Sequence, residues 1–109
     1  MIERNNNNPV VGTGIKLSIF MPPVDDIRLV DVDFDVLAYT EGGSRKVVIK
    51  KNDAIYIDDD TYIICVDTDK TGAGKLYTLV TVYIPDPDFP DGVRPEKHKR
   101  YTGIVIDPQ

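Results

Sequence analysis

The sequence has no tryptophan, one cysteine and one histidine among its 109 residues. A lone cysteine cannot close a disulfide within the chain, so we expect packing and main-chain hydrogen bonds to stabilise the fold, as suits synthesis in a reducing cytoplasm. Paired acids for glycoside hydrolysis could be drawn from the acidic loops, but no aromatic platform accompanies them. These absences disfavour an enzyme.

Long apolar runs and an excess of positive charge are also missing. No apolar run reaches the roughly 18 to 20 residues that cross a bilayer, and residues 1–9 lack the apolar segment of a secretory signal. The 13 Lys and Arg against 18 Asp and Glu give a net charge of -5. Because this charge opposes approach to phosphate backbones and anionic lipid, we expect neither nucleic acid nor a membrane as a partner.

The side chains best suited to nucleophilic catalysis lie in unpromising segments. Such catalysis needs a nucleophile, a base and an orienting group that the fold brings together. His98 lies in the charged run Glu96-Lys97-His98-Lys99-Arg100, which is typical of a solvated segment. Cys65 alternates within an apolar segment, and we interpret it as a small buried hydrophobe. We therefore predict a protein with no catalytic residues and no cofactor.

Two loops resemble ligand sites without matching them. Residues 71–75 read Thr-Gly-Ala-Gly-Lys, but Asp69 and Leu76 stand where a phosphate-binding loop needs a glycine and a hydroxyl. The aspartates at 58–60 and at 86–91 would suit calcium. The second group, however, has one residue too many for an EF-hand and no glutamate at the required offset. We interpret these aspartates as turn-forming and solubilising, and predict no bound metal.

Alternation with a period of two predicts strands at residues 30–39 and 76–84. In the first segment, valine, phenylalanine and alanine alternate with three aspartates. The glycine pair at 42 and 43 predicts a hairpin over residues 31–50, with Asp33 or Asp35 facing a lysine across it. Helical spacing is excluded there, because the aspartates would interrupt any apolar stripe.

Seven short strands in about 100 residues favour an all-β, immunoglobulin-like sandwich, with a small β-barrel as the alternative. Four prolines in residues 85–95 predict a long loop instead of a central strand. We expect a flexible arm over residues 1–12 and a single domain over 13–109. The hairpin and residues 76–84 supply three of the strands, and the others are expected at 15–21, 54–57, 61–66 and 100–106.

Three motifs carry a family resemblance: Gly-Ile-Lys-Leu at 14–17, the Asp-Thr and Gly-Ala-Gly-Lys-Leu of residues 67–76, and Ile-Pro-Asp-Pro-Asp-Phe-Pro-Asp-Gly-Val-Arg at 84–94. Over residues 13–106 the chain resembles small structural proteins of tailed bacteriophages and prophages of Bacteroides-like hosts. It is also similar to the immunoglobulin-like amino-terminal domain of phage baseplate upper proteins. In the larger relatives a fibre or receptor-binding part follows, whereas this sequence ends at Gln109, so the resemblance implies attachment or cementing.

The resemblance implies a virion protein, made in the host cytoplasm, whose partners are other virion structural proteins in a multi-copy assembly. It would serve as a tail, baseplate or fibre-attachment adaptor. We hypothesise that the asparagine-rich arm and the loop of residues 85–95 pack on adjacent subunits, with Phe89 as the apolar anchor and Arg94 as a paired charge. Phe89 covering one end of its own core is an open alternative. The expected contact residues are Asn5, Asn6, Asn7, Asn8, Asp86, Asp88, Phe89, Asp91 and Arg94.

Other functional classes stay open. A capsid decoration protein would use the same kind of contact. A carbohydrate-binding module would stack sugar rings on Tyr77 and Tyr83, although a cross-strand structural role competes because both fall on one strand face. A metal-dependent hydrolase would retain calcium or zinc.

Overall fold

Seven antiparallel strands in two sheets make up most of the chain in the computed structural model, which describes residues 8–109. The strand predictions are confirmed in number and in type. The strands are β1 (Gly14–Phe20), β2 (Asp33–Thr40), β3 (Lys46–Lys50), β4 (Ile55–Asp58), β5 (Thr61–Asp67), β6 (Gly74–Pro85) and β7 (Val93–Ile106).

The sheets pair in the order β1-β5-β4 and β3-β2-β6-β7. This is the strand order of an immunoglobulin-like sandwich whose first strand is missing from residues 8–109. Near the position of that strand, Val10 forms a single parallel bridge with Asp107 just after β7. The described residues therefore form two separate sheets, and the barrel alternative is not supported.

The core lies between the sheets, where β2 and β5 contribute their inward-facing residues. Phe34 and Val36 of β2 are buried, as are Tyr62 and Ile64 of β5. The rings of Phe34 and Tyr62 meet edge to face with centroids 5.1 Å apart. Burying each such side chain stabilises the fold by roughly 1.5–3 kcal/mol.

The hairpin prediction is confirmed, with a shorter first arm. Asp35 of β2 lies opposite Lys50 of β3, and the Lys50 ammonium is 3.8 Å from the Asp35 carboxylate. Residues 30 and 31, expected at the start of the strand, belong instead to a 3-10 turn over Leu29–Asp31. Within the turn the Asp31 N–H donates to the Arg28 carbonyl, while the Val30 N–H donates outward to the Asp59 carbonyl at 2.9 Å.

The last strand is longer than predicted, because it begins at Val93 instead of Arg100. The prolines argued for a loop through residue 95, yet Pro95 lies within β7 opposite Tyr83. Among residues 8–109 the only strand that pairs with β7 is β6, so a residue without an N–H is tolerated on the other side of β7. The connecting loop shrinks to residues 86–92.

Two smaller expectations also need correction. A four-residue helix, α1 (Thr68–Thr71), interrupts the loop predicted after residue 67, and the Asp67 carboxylate caps it by accepting from the Asp69 N–H. Cys65 is exposed, not buried. Its neighbours Ile64 and Val66 face the core, so the alternation of β5 directs Cys65 outward, opposite Lys16. Within residues 8–109 no helix is long and apolar enough to span a membrane.

Candidate interaction surfaces

The predicted docking loop, residues 86–92, is tied together around Asp86. Its carboxylate accepts from the Asp88 N–H at 3.0 Å and from the Arg94 guanidinium at 2.7 Å, while its own N–H donates to the Gly92 carbonyl at 2.8 Å. Arg94 also reaches Glu96 at 3.3 Å. The charge proposed to pair with a neighbouring subunit is thus engaged within its own chain.

The other predicted contact residues of this loop are exposed at its surface. Asp88 and Asp91 are exposed, and the Phe89 side chain is 39% exposed. Phe89 is therefore neither fully buried over its own core nor fully free. The loop presents one moderately exposed ring between two carboxylates.

The asparagine-rich arm contacts the domain through Asn8, the last of its four asparagines. The Asn8 side-chain amide donates to the Asp107 carboxylate at 3.3 Å. The Pro9 carbonyl accepts from the Asp107 N–H at 2.8 Å, which anchors part of the predicted arm on the carboxyl end of the sheet. Asn5, Asn6 and Asn7 lie outside the described residues.

The acidic turn after β4 is held by one arginine. The Arg28 guanidinium donates to both Asp60 oxygens, at 2.9 and 2.6 Å, and this contact lowers the pKa of Asp60 and raises that of Arg28. The Tyr56 hydroxyl donates to Asp59 at 2.6 Å, which raises the pKa of Tyr56. No group of three or more His, Cys, Asp or Glu side chains within residues 8–109 is arranged to hold a metal ion.

The outer face of the four-stranded sheet carries a row of three tyrosines. The Tyr77 ring lies between Tyr39, at 5.8 Å, and Tyr101, at 5.2 Å, and the Lys99 ammonium lies over it at 5.2 Å. Tyr83 shares this face, and its hydroxyl donates to Asp35 at 2.8 Å, which raises the pKa of Tyr83. Both tyrosines considered for sugar stacking are thus engaged across strands.

Strand β4 exposes bulky apolar side chains along its whole length. Ile55, Tyr56 and Ile57 are 47%, 53% and 49% exposed. We call these three residues the edge patch. Among the described residues β4 pairs with β5 alone, so its other side offers main-chain groups that no strand of residues 8–109 pairs with. The contact residues predicted from the sequence do not include this patch.

A signal for the edge patch was present in the sequence. Residues 54–57 read Ala-Ile-Tyr-Ile, an apolar run without alternation between Asp53 and Asp58. A strand with one buried face alternates, whereas a run of this kind is apolar on both faces. Such a strand is either covered on both faces or leaves an apolar face exposed, and only the tertiary structure distinguishes the two cases.

A cleft of 460 Å³ separates the free edges of β1 and β7, on the side where the missing first strand of the sandwich would run. Its lining is mainly apolar, and the polar side chains that β7 contributes include His98, Arg100 and Thr102. The Arg100 side chain is exposed, and its guanidinium makes no hydrogen bond or ion pair to any of residues 8–109. The apolar part of the lining includes Leu17, Ile19, Met21, Val80 and Val82.

No protein-family model, curated protein or solved structure matches this chain. The phage resemblance therefore stays a prediction. Functional inference rests on the surfaces that the fold exposes, and among these the edge patch differs most from an ordinary solvated surface.

Proposed function

We propose that the protein is a non-enzymatic docking domain that joins a larger protein assembly through the edge patch. The observation that carries this proposal is the exposure of Ile55, Tyr56 and Ile57 on a strand with one unpaired side. Edge strands of soluble proteins usually carry lysine, proline or a bulge that blocks further pairing. Strand β4 contains no lysine or proline, and its one feature of this kind is a register shift at its carboxyl end, between Tyr56 and Asp58, which leaves Ile55 and Tyr56 in regular pairing with β5.

The assembly that the family resemblance favours is a phage particle, in which the protein would be a tail, baseplate or fibre-attachment adaptor. A multi-copy particle component gains from a rigid sandwich, because its edges and end loops are presented in a fixed geometry. The loop of residues 86–92 and Asn8 would then supply secondary contacts around the edge patch, which would supply the main apolar contact.

The test is to place lysines in the edge patch and measure particle incorporation. A tagged chain carrying Ile55→Lys and Ile57→Lys would be expressed in cells that make the particle, and particles would be collected by sedimentation. We expect the variant to remain in the supernatant, because two buried ammonium groups without partners would oppose docking. Exposed positions tolerate such changes within about 0.5 kcal/mol, so its unfolding midpoint should match that of the wild type.

The matched control is Val48→Lys, which changes an equally exposed apolar residue on the edge strand β3 of the other sheet. This variant should sediment with particles as the wild type does. Equal sedimentation of both variants would refute a docking role for the edge patch. Deleting residues 1–7 in parallel tests the predicted contribution of the asparagine-rich arm, which unchanged incorporation would contradict.

A further inference from the structure

The edge patch needs a partner strand, and charge restricts which strand that is. The patch lies in an acidic segment, since Asp53 precedes it and three aspartates at 58–60 follow it. Arg28 neutralises only part of this charge through Asp60 and, at 3.9 Å, Asp59. A complementary strand therefore carries positive charge beside its own free edge.

Such a strand exists in the same chain. On β7, residues 97–100 read Lys-His-Lys-Arg, which we call the basic run. All four side chains are exposed, and within residues 8–109 the only strand that pairs with β7 is β6. The register directs Lys97 and Lys99 to the outer face of the sheet and His98 and Arg100 to the inner face, so cationic side chains flank the free edge on both sides.

The strand β7 also offers an apolar surface to the edge patch, namely the cleft beside the inner face of β7. A strand added to the free edge of β7 would turn alternate side chains toward the inner face, over this cleft. Depending on the register, the edge patch would turn either Ile55 and Ile57 or Tyr56 toward that position. The carboxylates of residues 58–60 would then lie near Arg100, which has no partner within residues 8–109.

Pairing between identical edges is disfavoured by the same charges. Two copies of β4 paired antiparallel about a two-fold axis would place Asp53 of one copy close to Asp58 or Asp59 of the other. Two copies of β7 would bring two basic runs together. Like charges across an interface are costly, so the favourable contact joins different edges.

We propose that a second copy of this chain is a partner of the edge patch, and that β4 of one copy adds as a strand to β7 of the next. This proposal rests on the docking role of the edge patch. Contacts between unlike edges repeat head to tail, and they build an open chain or a closed ring of copies. A four-residue ladder is small for an interface, so the association is weak and is strengthened by low salt and high protein concentration.

The test uses two variants, each blocked at one edge, in sedimentation-velocity experiments at low salt. The first is Ile55→Lys with Ile57→Lys, which keeps the basic run. The second is Lys99→Glu with Arg100→Glu, which keeps the edge patch. We expect each variant alone to be monomeric, with association more than about tenfold weaker than in the wild type. An equimolar mixture should form a one-to-one complex and nothing larger, whereas the wild type should grow beyond a dimer.

Several results would overturn the proposal. A wild type that stays monomeric at every concentration would do so, as would dimers formed by either variant alone, since these require pairing between identical edges. If the Lys99 and Arg100 variant fails to fold by circular dichroism, Arg100→Glu alone replaces it. The loss of wild-type association with rising salt is a further check that needs no variant.

The two proposals fail separately. A monomeric wild type together with a lysine-substituted edge patch that is lost from particles would mean that the patch docks on a different protein. Self-association of the wild type together with normal particle incorporation of that variant would mean that copies pair in solution while docking on the particle uses another surface.

Discussion

Strands β3 and β4 are both short edge strands, yet they differ in the side chains that they expose. On β3, lysines occupy both ends, Ile49 is 7% exposed, and Val48 is the only bulky apolar residue left outside. On β4, no residue is buried, and the edge patch has no lysine. The comparison shows that lysines protect one edge against further pairing, while the other has only a register shift near its carboxyl end.

Their neighbours explain the difference. All five residues of β3 pair with β2, and Ile49 joins the core cluster. For β4, the register with β5 shifts between Tyr56 and Asp58, and its one ring contact to the interior is Tyr56 against Tyr62, at 5.8 Å. Hence β4 is held mainly by β5, and its side chains contribute little buried area.

The largest effect is expected where β4 meets the core. Tyr62→Ala removes a buried ring that contacts both Phe34 and Tyr56, so the free energy of unfolding should fall by about 3–5 kcal/mol. Urea unfolding followed by far-ultraviolet circular dichroism measures this change. The control on the other edge, Val48→Ala, should cost about 0.5 kcal/mol or less. Comparable losses in both variants would contradict the contrast between the edges.

The next effect concerns Lys51–Asp53, the short turn that connects β3 to β4. The Lys51 ammonium donates to the Val30 carbonyl at 2.9 Å and to the Val32 carbonyl at 2.6 Å. Lys51→Met keeps the aliphatic stem but loses both bonds, at a cost of about 1.5–3 kcal/mol in urea unfolding. Lys50→Met, which removes only an exposed ion pair with Asp35, should cost about 0–1 kcal/mol. The reverse ranking would show that the connection is not what holds β3 and β4 in place.

A third change disturbs the turn that leads into β3. A Cβ at Gly43 would clash with the Thr40 hydroxyl, which donates to the Thr71 carbonyl at 3.1 Å. Gly43→Ala should therefore cost about 1–3 kcal/mol, read from the thermal unfolding midpoint and from urea unfolding. At Gly14 a Cβ meets nothing within 4 Å, so Gly14→Ala is the matched control and should be near neutral. An equally tolerant Gly43 would mean that the turn relaxes freely.

The smallest effect depends on pH and separates the two edges again. The pKa of Asp60 is lowered from 3.8 by its bond to Arg28. A carboxyl with a lowered folded-state pKa stabilises the fold above its unfolded pKa, and this stability is lost as the pH falls through the folded value. The stability advantage of the wild type over Asp60→Asn should thus shrink below about pH 4.

The control for the pH series is Asp53→Asn, since Asp53 has no ion pair within residues 8–109. Its stability difference from the wild type should vary less over the same acidic range. A difference between the wild type and Asp60→Asn that stays constant down to pH 2 would contradict a stabilising role for the Arg28 contact.

Much of the fold could be predicted from local patterns. The alternation through Phe34 and Val36, the glycine turn and the alternation of β6 identify strands correctly, because one buried face imposes a period of two on the side chains. Predictions failed where the outcome depended on a neighbour. Pro95 is tolerated because β7 is an edge, and Cys65 is exposed because of the register of β5.

The site shows the same division. Arg94 and Phe89 were expected to meet a partner, since a loop rich in proline and aspartate is exposed wherever it occurs. That Asp86 lies within reach of Arg94, eight residues away, depends on the closure of the β6-β7 hairpin. The edge patch escaped prediction because an apolar tripeptide does not reveal whether a second strand covers it.

By itself, the sequence determined that this chain forms two-faced strands, where they turn, and that its charge is acidic, because alternation, glycine conformational freedom and charge are properties of neighbouring residues. Only the tertiary structure decided which strands stand at the edges, that β4 is left without a cover, and that cationic side chains line β7. Those features depend on contacts between residues far apart in sequence, and a local pattern carries no information about them.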